Sequence, residues 1–229
     1  MRILVIVPVG TDSRNTARKA ICEKYAPPGT LVDTVSLPFG PLSLETRREH
    51  SEVVPLVIET AMKLHKNYDA LIVGCFLDPG VQELRKLIKD KVVVGPGEAS
   101  LTLAKFIGEP IALITVGKHR ETIDMMEEYV TALGLKNSVT IRGIPYGVLD
   151  IDRDRVTALK LLKDESIKAE RDGSKVIVIG CTALSGLSDE IEKHVKIPVI
   201  DPLKASVTLV EALLRFRKPL GNPNSKSFT

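Results

Sequence analysis

The chain has 229 residues, 27% of them charged, with a net charge of +3, which is length enough for one large or two small α/β units with a real core. Basic residues are interleaved with acidic ones and no aromatic platform accompanies them, which excludes a nucleic-acid binder. Cys22, Cys75 and Cys181 are too few and too scattered for a disulfide framework or a metal site, and no apolar run is long enough to span a bilayer.

Residues 2–7 are apolar and β-rich, and Pro8 and Gly10 follow. The run is too short for a signal peptide and lacks a small-residue cleavage site, so it reads as a first strand of a cytoplasmic protein. Asp12 or Ser13 is expected to cap a helix reaching about residue 25. A strand over 31–37 ends in Pro38-Phe39-Gly40-Pro41. Ser43 is expected to open a long helix to about residue 67, kinked at Pro55. The strand 69–74 runs into Cys75, and Pro79 suits the first turn of a helix to about residue 89. A strand at 91–94, Gly95-Pro96-Gly97 and a helix over 98–106 complete this half.

The pattern then restarts. A strand at 111–116 ends in Gly117, and a helix over 121–133 stops at Gly134. A strand at 139–144 ends in Pro145-Tyr146-Gly147 and is followed by a helix over 153–171. The strand 175–180 runs into Cys181. A helix over 188–195, a strand at 197–200, Asp201-Pro202 and a helix to about residue 216 follow, and the polar tail 222–229 is expected to fray.

The two halves superpose almost without gaps. Gly10 matches Gly117, and Pro38-Phe39-Gly40 matches Pro145-Tyr146-Gly147, at an offset of 107. Cys75 matches Cys181, Gly80 matches Gly186, Pro96 matches Pro202 and Ala99-Ser100 matches Ala205-Ser206, all at 106. A run of such matches marks a duplicated unit. The expected fold is therefore α/β: two pseudo-symmetric three-layer lobes with mainly parallel sheets and right-handed crossovers.

In open parallel sheets the ligand site lies beyond the carboxyl ends of the strands. Pro8, Gly10, Phe39, Gly40, Cys75, Gly117, Tyr146 and Cys181 all fall there. Two facing lobes would set Cys75 and Cys181 on opposite walls of one interlobe cleft. Each precedes a helix start, where backbone N–H groups and the helix dipole are expected to favour a thiolate. One thiolate can then take a proton from a carbon next to a carbonyl while the opposite thiol returns one to the other face. The N–H groups of Phe76 and Thr182 are placed to hold the negative oxygen. This chemistry needs no metal, no pyridoxal phosphate and no nucleotide. Cys22 has no partner in the repeat and reads as a small core residue. His50, His65 and His194 read as solvated, whereas His119 can face the cleft. Asp78 and Glu98 read as aids to helix starts.

Gly74-Cys75-Phe76-Leu77-Asp78-Pro79-Gly80, with Val94-Gly95-Pro96-Gly97-Glu98-Ala99 and Gly180-Cys181-Thr182, resembles the aspartate/glutamate/hydantoin racemase superfamily, in particular its hydantoin racemase branch. The resemblance covers essentially the whole chain. It implies a cofactor-independent two-base racemase whose catalytic pair is Cys75 and Cys181. It also implies a homo-oligomer, and a last helix that crosses back, so that one lobe is 1–97 plus 205–229 and the other 98–204. The branch carries Asn-Pro-Asn-Thr or similar after its first strand. Here Val7-Pro8-Val9-Gly10-Thr11 stands instead, without the two amides.

The leading expectation is racemisation of 5-substituted hydantoins or a related cyclic ureide such as allantoin, because the site loops are mostly apolar. An aspartate or glutamate racemase is the first alternative, with Lys118, His119 and Arg120 as possible carboxylate partners. Maleate isomerase or arylmalonate decarboxylase chemistry is a lesser rival. A two-lobe small-molecule-binding protein and a Cys75–Cys181 redox pair are the alternatives from other classes. The expected partner is a small-molecule substrate, with neither nucleic acid nor membrane.

Overall fold

Successive residues of the first strand, β1 (Arg2–Val7), face two different cores: Ile3, Val5 and Val7 point one way, Leu4 and Ile6 the other. A strand that is apolar on both faces must be covered by helices on both faces. The computed structural model, which describes residues 1–216, has this arrangement twice.

The first unit contains β1, α1 (Asn15–Tyr25), β2 (Leu31–Ser36), α2 (Arg47–Leu64), β3 (Ala70–Val73), α3 (Val81–Leu87), β4 (Val92–Val94) and α4 (Pro96–Ile107). The second contains β5 (Ile111–Val116), α5 (Arg120–Ala132), β6 (Val139–Ile144), α6 (Val148–Arg153), α7 (Arg155–Arg171), β7 (Val176–Ile179), α8 (Ser188–Ile191), β8 (Val199–Ile200) and α9 (Pro202–Phe216). The sheets run β2-β1-β3-β4 and β6-β5-β7-β8, parallel at every pairing. The registers repeat as well: Ile3 pairs with Ala70 as Ile111 pairs with Val176.

One central core joins the inner faces of both sheets. Val5 and Ile72 meet Leu113 and Val178 through side chains of α4, α5 and α9, among them Leu101, Met126 and Leu203. Val53, Val57 and Leu84 cover the outer face of the first sheet, and Ala158, Leu162 and Ile191 cover the outer face of the second. Each fully buried side chain of this size contributes about 1.5–3 kcal/mol. That is why α2 continues through Pro55, whose missing backbone bond costs about 3 kcal/mol: Val53 and Val57, on either side, are both fully buried. Helix α9 packs against α1, α4 and β4. Among the described residues no helix is long and apolar enough to cross a membrane.

Several boundaries differ from the sequence reading. Neither Asp12 nor Ser13 caps α1 with its side chain; Asp12 offers only its backbone carbonyl, which accepts from the N–H of Asn15. Helix α2 begins four residues after Ser43, behind a capping box in which the Thr46 hydroxyl accepts from the Glu49 N–H while the Glu49 carboxylate accepts from the Thr46 N–H. The helix expected over 153–171 is preceded by the short α6, because Asp154 stops one helix and caps the next through the N–H of Thr157 at 2.9 Å. Helix α8 is a single turn where a longer one is expected. The tail 222–229 and the far end of the 205–229 segment lie outside the described residues.

Candidate active site

The order β2-β1-β3-β4 puts the topological switch between β1 and β3, so a crevice opens beyond their carboxyl ends. The second sheet has the same crevice beyond β5 and β7. Residues 7–9 and 74–77 from the first crevice and residues 115–116 and 180–183 from the second line a single cavity. Its volume is about 530 Å³, counting the part that opens to solvent.

Both cysteines stand on this lining, on loops of the same design. The Gly five residues past each cysteine is left-handed, with φ +80° at Gly80 and +85° at Gly186, a conformation in which a Cβ is strained. A buried carboxylate then ties each loop to the next helix start. Asp78 accepts from the N–H groups of Gly97 and Glu98 at the head of α4, at 3.0 and 2.9 Å, and from the Tyr129 hydroxyl of α5. Asp201 accepts from the N–H of Gly186 and from those of Leu203 and Lys204 at the head of α9. Asp78 thus assists a helix start, that of α4, as the sequence suggests. Glu98 pairs with Arg85.

The two loops touch across the lobes. The buried Thr182 hydroxyl donates to the carbonyl of Gly74 at 2.9 Å. Thus the residue after Cys181 is bonded to the residue before Cys75. Thr122 to the Glu45 carbonyl, and Arg14 to Asp152 and the Val148 carbonyl, close the cleft on either side.

The electrostatics differ from the sequence expectation. Burial pushes the Cys75 thiol up to about 12 and raises that of Cys181 as well. The backbone N–H of Leu77 favours the Cys75 thiolate, and those of Ala183 and Leu184 favour that of Cys181. These oppose the desolvation without overcoming it. The helix support expected from sequence is weak for a geometric reason. Only the short turn Thr182–Leu184 follows Cys181, and after Cys75 no helix begins until Val81.

Of the remaining sequence candidates, Pro8, Phe76 and Thr182 are on the lining, and Gly10, Phe39, Gly40, Gly117 and Tyr146 are not. A Cβ on Gly10 would stand 2.6 Å from the Gly40 carbonyl oxygen, and Gly40 itself takes φ +139°. Gly117 approaches Gly143 in the same way, its Cβ falling 2.5 Å from the Gly143 Cα. Phe39 is 64% exposed. Tyr146 packs on the outer core of the second sheet, and its hydroxyl reaches the Asp154 carbonyl. Lys118 pairs with Asp150, and His119 stands at the head of α5, off the cavity wall.

Three lining residues with basic side chains escape the sequence reading: Arg14, Arg18 and His50. His50 is half-buried rather than solvated, and burial lowers its pKa. Arg14, Arg18 and the fully buried Cys22 are spaced by four along α1, a stripe on one helix face that points inward.

A family model described as Asp/Glu/Hydantoin racemase matches residues 3–210. A hydantoin racemase of Pseudomonas sp. (strain NS671) is 32% identical, over 99% of this chain and 89% of that one. Among solved structures, an allantoin racemase from Klebsiella pneumoniae superposes with a TM-score of 0.88 at 25% identity, covering 94% of this chain and 88% of the other. An allantoin racemase from Pseudomonas fluorescens gives 0.87 at 27% identity, covering 94% and 91%.

The contact between the cysteine loops is testable on its own. Thr182→Val leaves the buried Gly74 carbonyl without its donor, which costs about 1–3 kcal/mol, whereas Thr182→Ser keeps the bond. Urea unfolding should therefore show a lower midpoint for the valine variant than for the serine variant. Equal midpoints would mean that the bond does not hold the lobes together.

Proposed function

The chain belongs to the Asp/Glu/hydantoin racemase family and is a racemase, and on that premise we propose that it racemises 5-substituted hydantoins or a related cyclic ureide through Cys75 and Cys181. The observation that carries this reading is that two symmetry-equivalent cysteines, at two switch points, line one cavity.

In the proposed cycle the thiolate of one cysteine takes the proton from the ring carbon bearing the substituent. The electrons of that C–H bond move into the adjacent carbonyl and make an enolate. The thiol of the other cysteine gives its proton to the opposite face, and the enolate collapses to the mirror-image ring. One thiol and one thiolate remain, with their roles exchanged, so the enzyme is ready for the reverse enantiomer. No redox change occurs and no group is transferred.

The wall supports a ring of this kind. Val7 and Val9 stand where the resembling branch carries its two amides, and Pro8, Phe76, Leu77 and Met126 extend the apolar surface. Hydroxyls of Ser43, Thr115 and Thr122 are also on the lining, although those of Thr115 and Thr122 already donate to protein carbonyls. A dicarboxylate substrate would ask for more free cations, and Lys118, His119 and Arg120 stand away from the cavity. The hydantoin and allantoin racemases similar to this chain support the cyclic-ureide class.

Polarimetry on hydantoins, allantoin and free amino acids should find activity on the cyclic ureides. Cys75→Ala and Cys181→Ala should each lower the rate by about a thousandfold or more, the scale of a lost acid–base group, with folding retained. Either variant at near wild-type rate would contradict the two-base scheme.

The pH dependence follows from the buried thiols. Because burial holds both above the ordinary thiol value of about 8.5, the reactive thiolate grows about tenfold per pH unit below its pKa. The logarithm of kcat/KM should therefore climb with slope near one from pH 6.5 to 8.5, and a flat profile would contradict it. Linkage has the opposite sign. A thiol whose folded pKa is raised stabilises the fold below the unfolded value of about 8.5 and loses that contribution as pH rises toward the folded value, so the rise in activity is read below pH 8.5.

A further inference from the structure

Among the ionisable groups around the cavity, one positive charge is left over. Arg18, on α1, is only 6% exposed and lines the cavity, yet its Nε has no hydrogen-bond partner. Among the described residues no carboxylate forms an ion pair with it. Arg14, one turn earlier, is neutralised by a bidentate contact with Asp152. A buried guanidinium without a partner weakens a fold. Its presence in a cavity wall therefore calls for a negative charge that comes and goes with function.

The neighbouring groups supply no permanent one. His50, from α2, carries no negative charge, and burial lowers its pKa. Asp78 is held by the head of α4 and by Tyr129, and Asp201 by the head of α9 and Gly186. Cys22, one turn along α1, stays a thiol because burial raises it to about 12. Arg155, from α7, spends its donors on the carbonyls of Ala183 and Ser185. Asp152 also acts on Arg18, but its carboxylate is held by Arg14, so what remains near Arg18 is the pair Cys75 and Cys181. The charge of Arg18 favours the thiolate at both; at Cys181 that of Arg14 acts more strongly still, and Arg155 adds to it.

We propose that Arg18 is the fixed counter-charge of this cavity: it balances the single negative charge that passes from one sulfur, through the enolate of the substrate, to the other sulfur, and so fits the site to substrates that carry no ionised group of their own. This rests on the two-cysteine reading above and narrows its substrate class. One thiolate and Arg18 sum to zero, and the sum stays at zero while the proton leaves one sulfur and another returns from the opposite one. A neutral ring keeps the site balanced at every step. A substrate carboxylate would add a second negative charge, and Arg14, already held by Asp152, is not free to meet it. Arg18 acts through the sulfurs and is in this sense a positioning residue.

The test reads the thiols directly and needs no substrate. The full chain, Arg18→Lys and Arg18→Met are treated with iodoacetamide between pH 6 and 10, and alkylation of Cys75 and Cys181 is followed by peptide mass spectrometry. In Arg18→Met, alkylation of both cysteines at pH 7.5 should slow by about tenfold or more, the change expected for a shift of one pH unit. Arg18→Lys, which keeps the charge, should recover most of the rate. Thermal melts should show Arg18→Met at least as stable as the parent, since it removes an unpaired buried charge. Superposable alkylation profiles in a folded Arg18→Met protein would overturn the proposal. So would a wild-type preference for hydantoins with a carboxylate side chain that disappears in Arg18→Met, which would make Arg18 a substrate clamp. If the alkylation shift is found but no cyclic ureide is racemised, the counter-charge stands and the substrate reading falls.

Discussion

The hydrogen bond from the Thr182 hydroxyl to the Gly74 carbonyl joins residues 108 positions apart and is buried between the lobes. Everything proposed for the site depends on that contact. Each sheet alone presents one cysteine at one switch point, which is a surface thiol and nothing more. Bonding the residue after Cys181 to the residue before Cys75 turns two separate crevices into one enclosed space. The carboxylates then fix each loop to the next helix start, Asp78 at the head of α4 and Asp201 at the head of α9. The sulfurs are therefore set by rigid elements rather than by mobile loops, as acid–base chemistry at a carbon demands.

Enclosure carries an electrostatic consequence. Burial in the cavity wall raises both thiols, so the resting site holds them protonated. An acid is then ready at either face, and the thiolate is the scarce form. The same low dielectric strengthens every charge that is present, so one unpaired guanidinium acts on two sulfurs at once. The apolar segment Val7-Pro8-Val9 adds to this by keeping polar groups away from that side of the cavity. The architecture thus links three features that look independent: a duplicated fold, a poorly solvated cavity and a buried cation without a partner.

The duplication was legible because Gly and Pro punctuate both halves at nearly constant spacing, and the parallel order followed from strand–helix alternation. Cys75 and Cys181 were legible for the same reason. The other repeated residues misled in an informative way. Gly10, Gly40 and Gly117 recur because backbones approach closely there, and Phe39 and Tyr146 recur with them, yet none reaches the cavity. Repetition marks what the fold needs, and the fold needs more than the site does. Arg18 and His50 show the converse. They have no repeat counterparts, and a charged residue on a helix reads as solvated until the helix face is known. The spacing of Arg14, Arg18 and Cys22 carried that information, because it places a buried cysteine on the same stripe as two arginines. The thiol shift was not legible at all. It turns on how much helix follows each cysteine and how dry the cavity is, and both are properties of the assembled lobes.

The central claim is that the two sulfurs work from opposite faces of one carbon. It is tested most directly by NMR-detected exchange of the substrate C–H in deuterated water, using Cys75→Ser and Cys181→Ser and each pure enantiomer of a hydantoin substrate. One variant should wash deuterium into one enantiomer only, and the other variant into its mirror image. Exchange from both enantiomers at equal rates, or from the same enantiomer in both variants, would contradict the account.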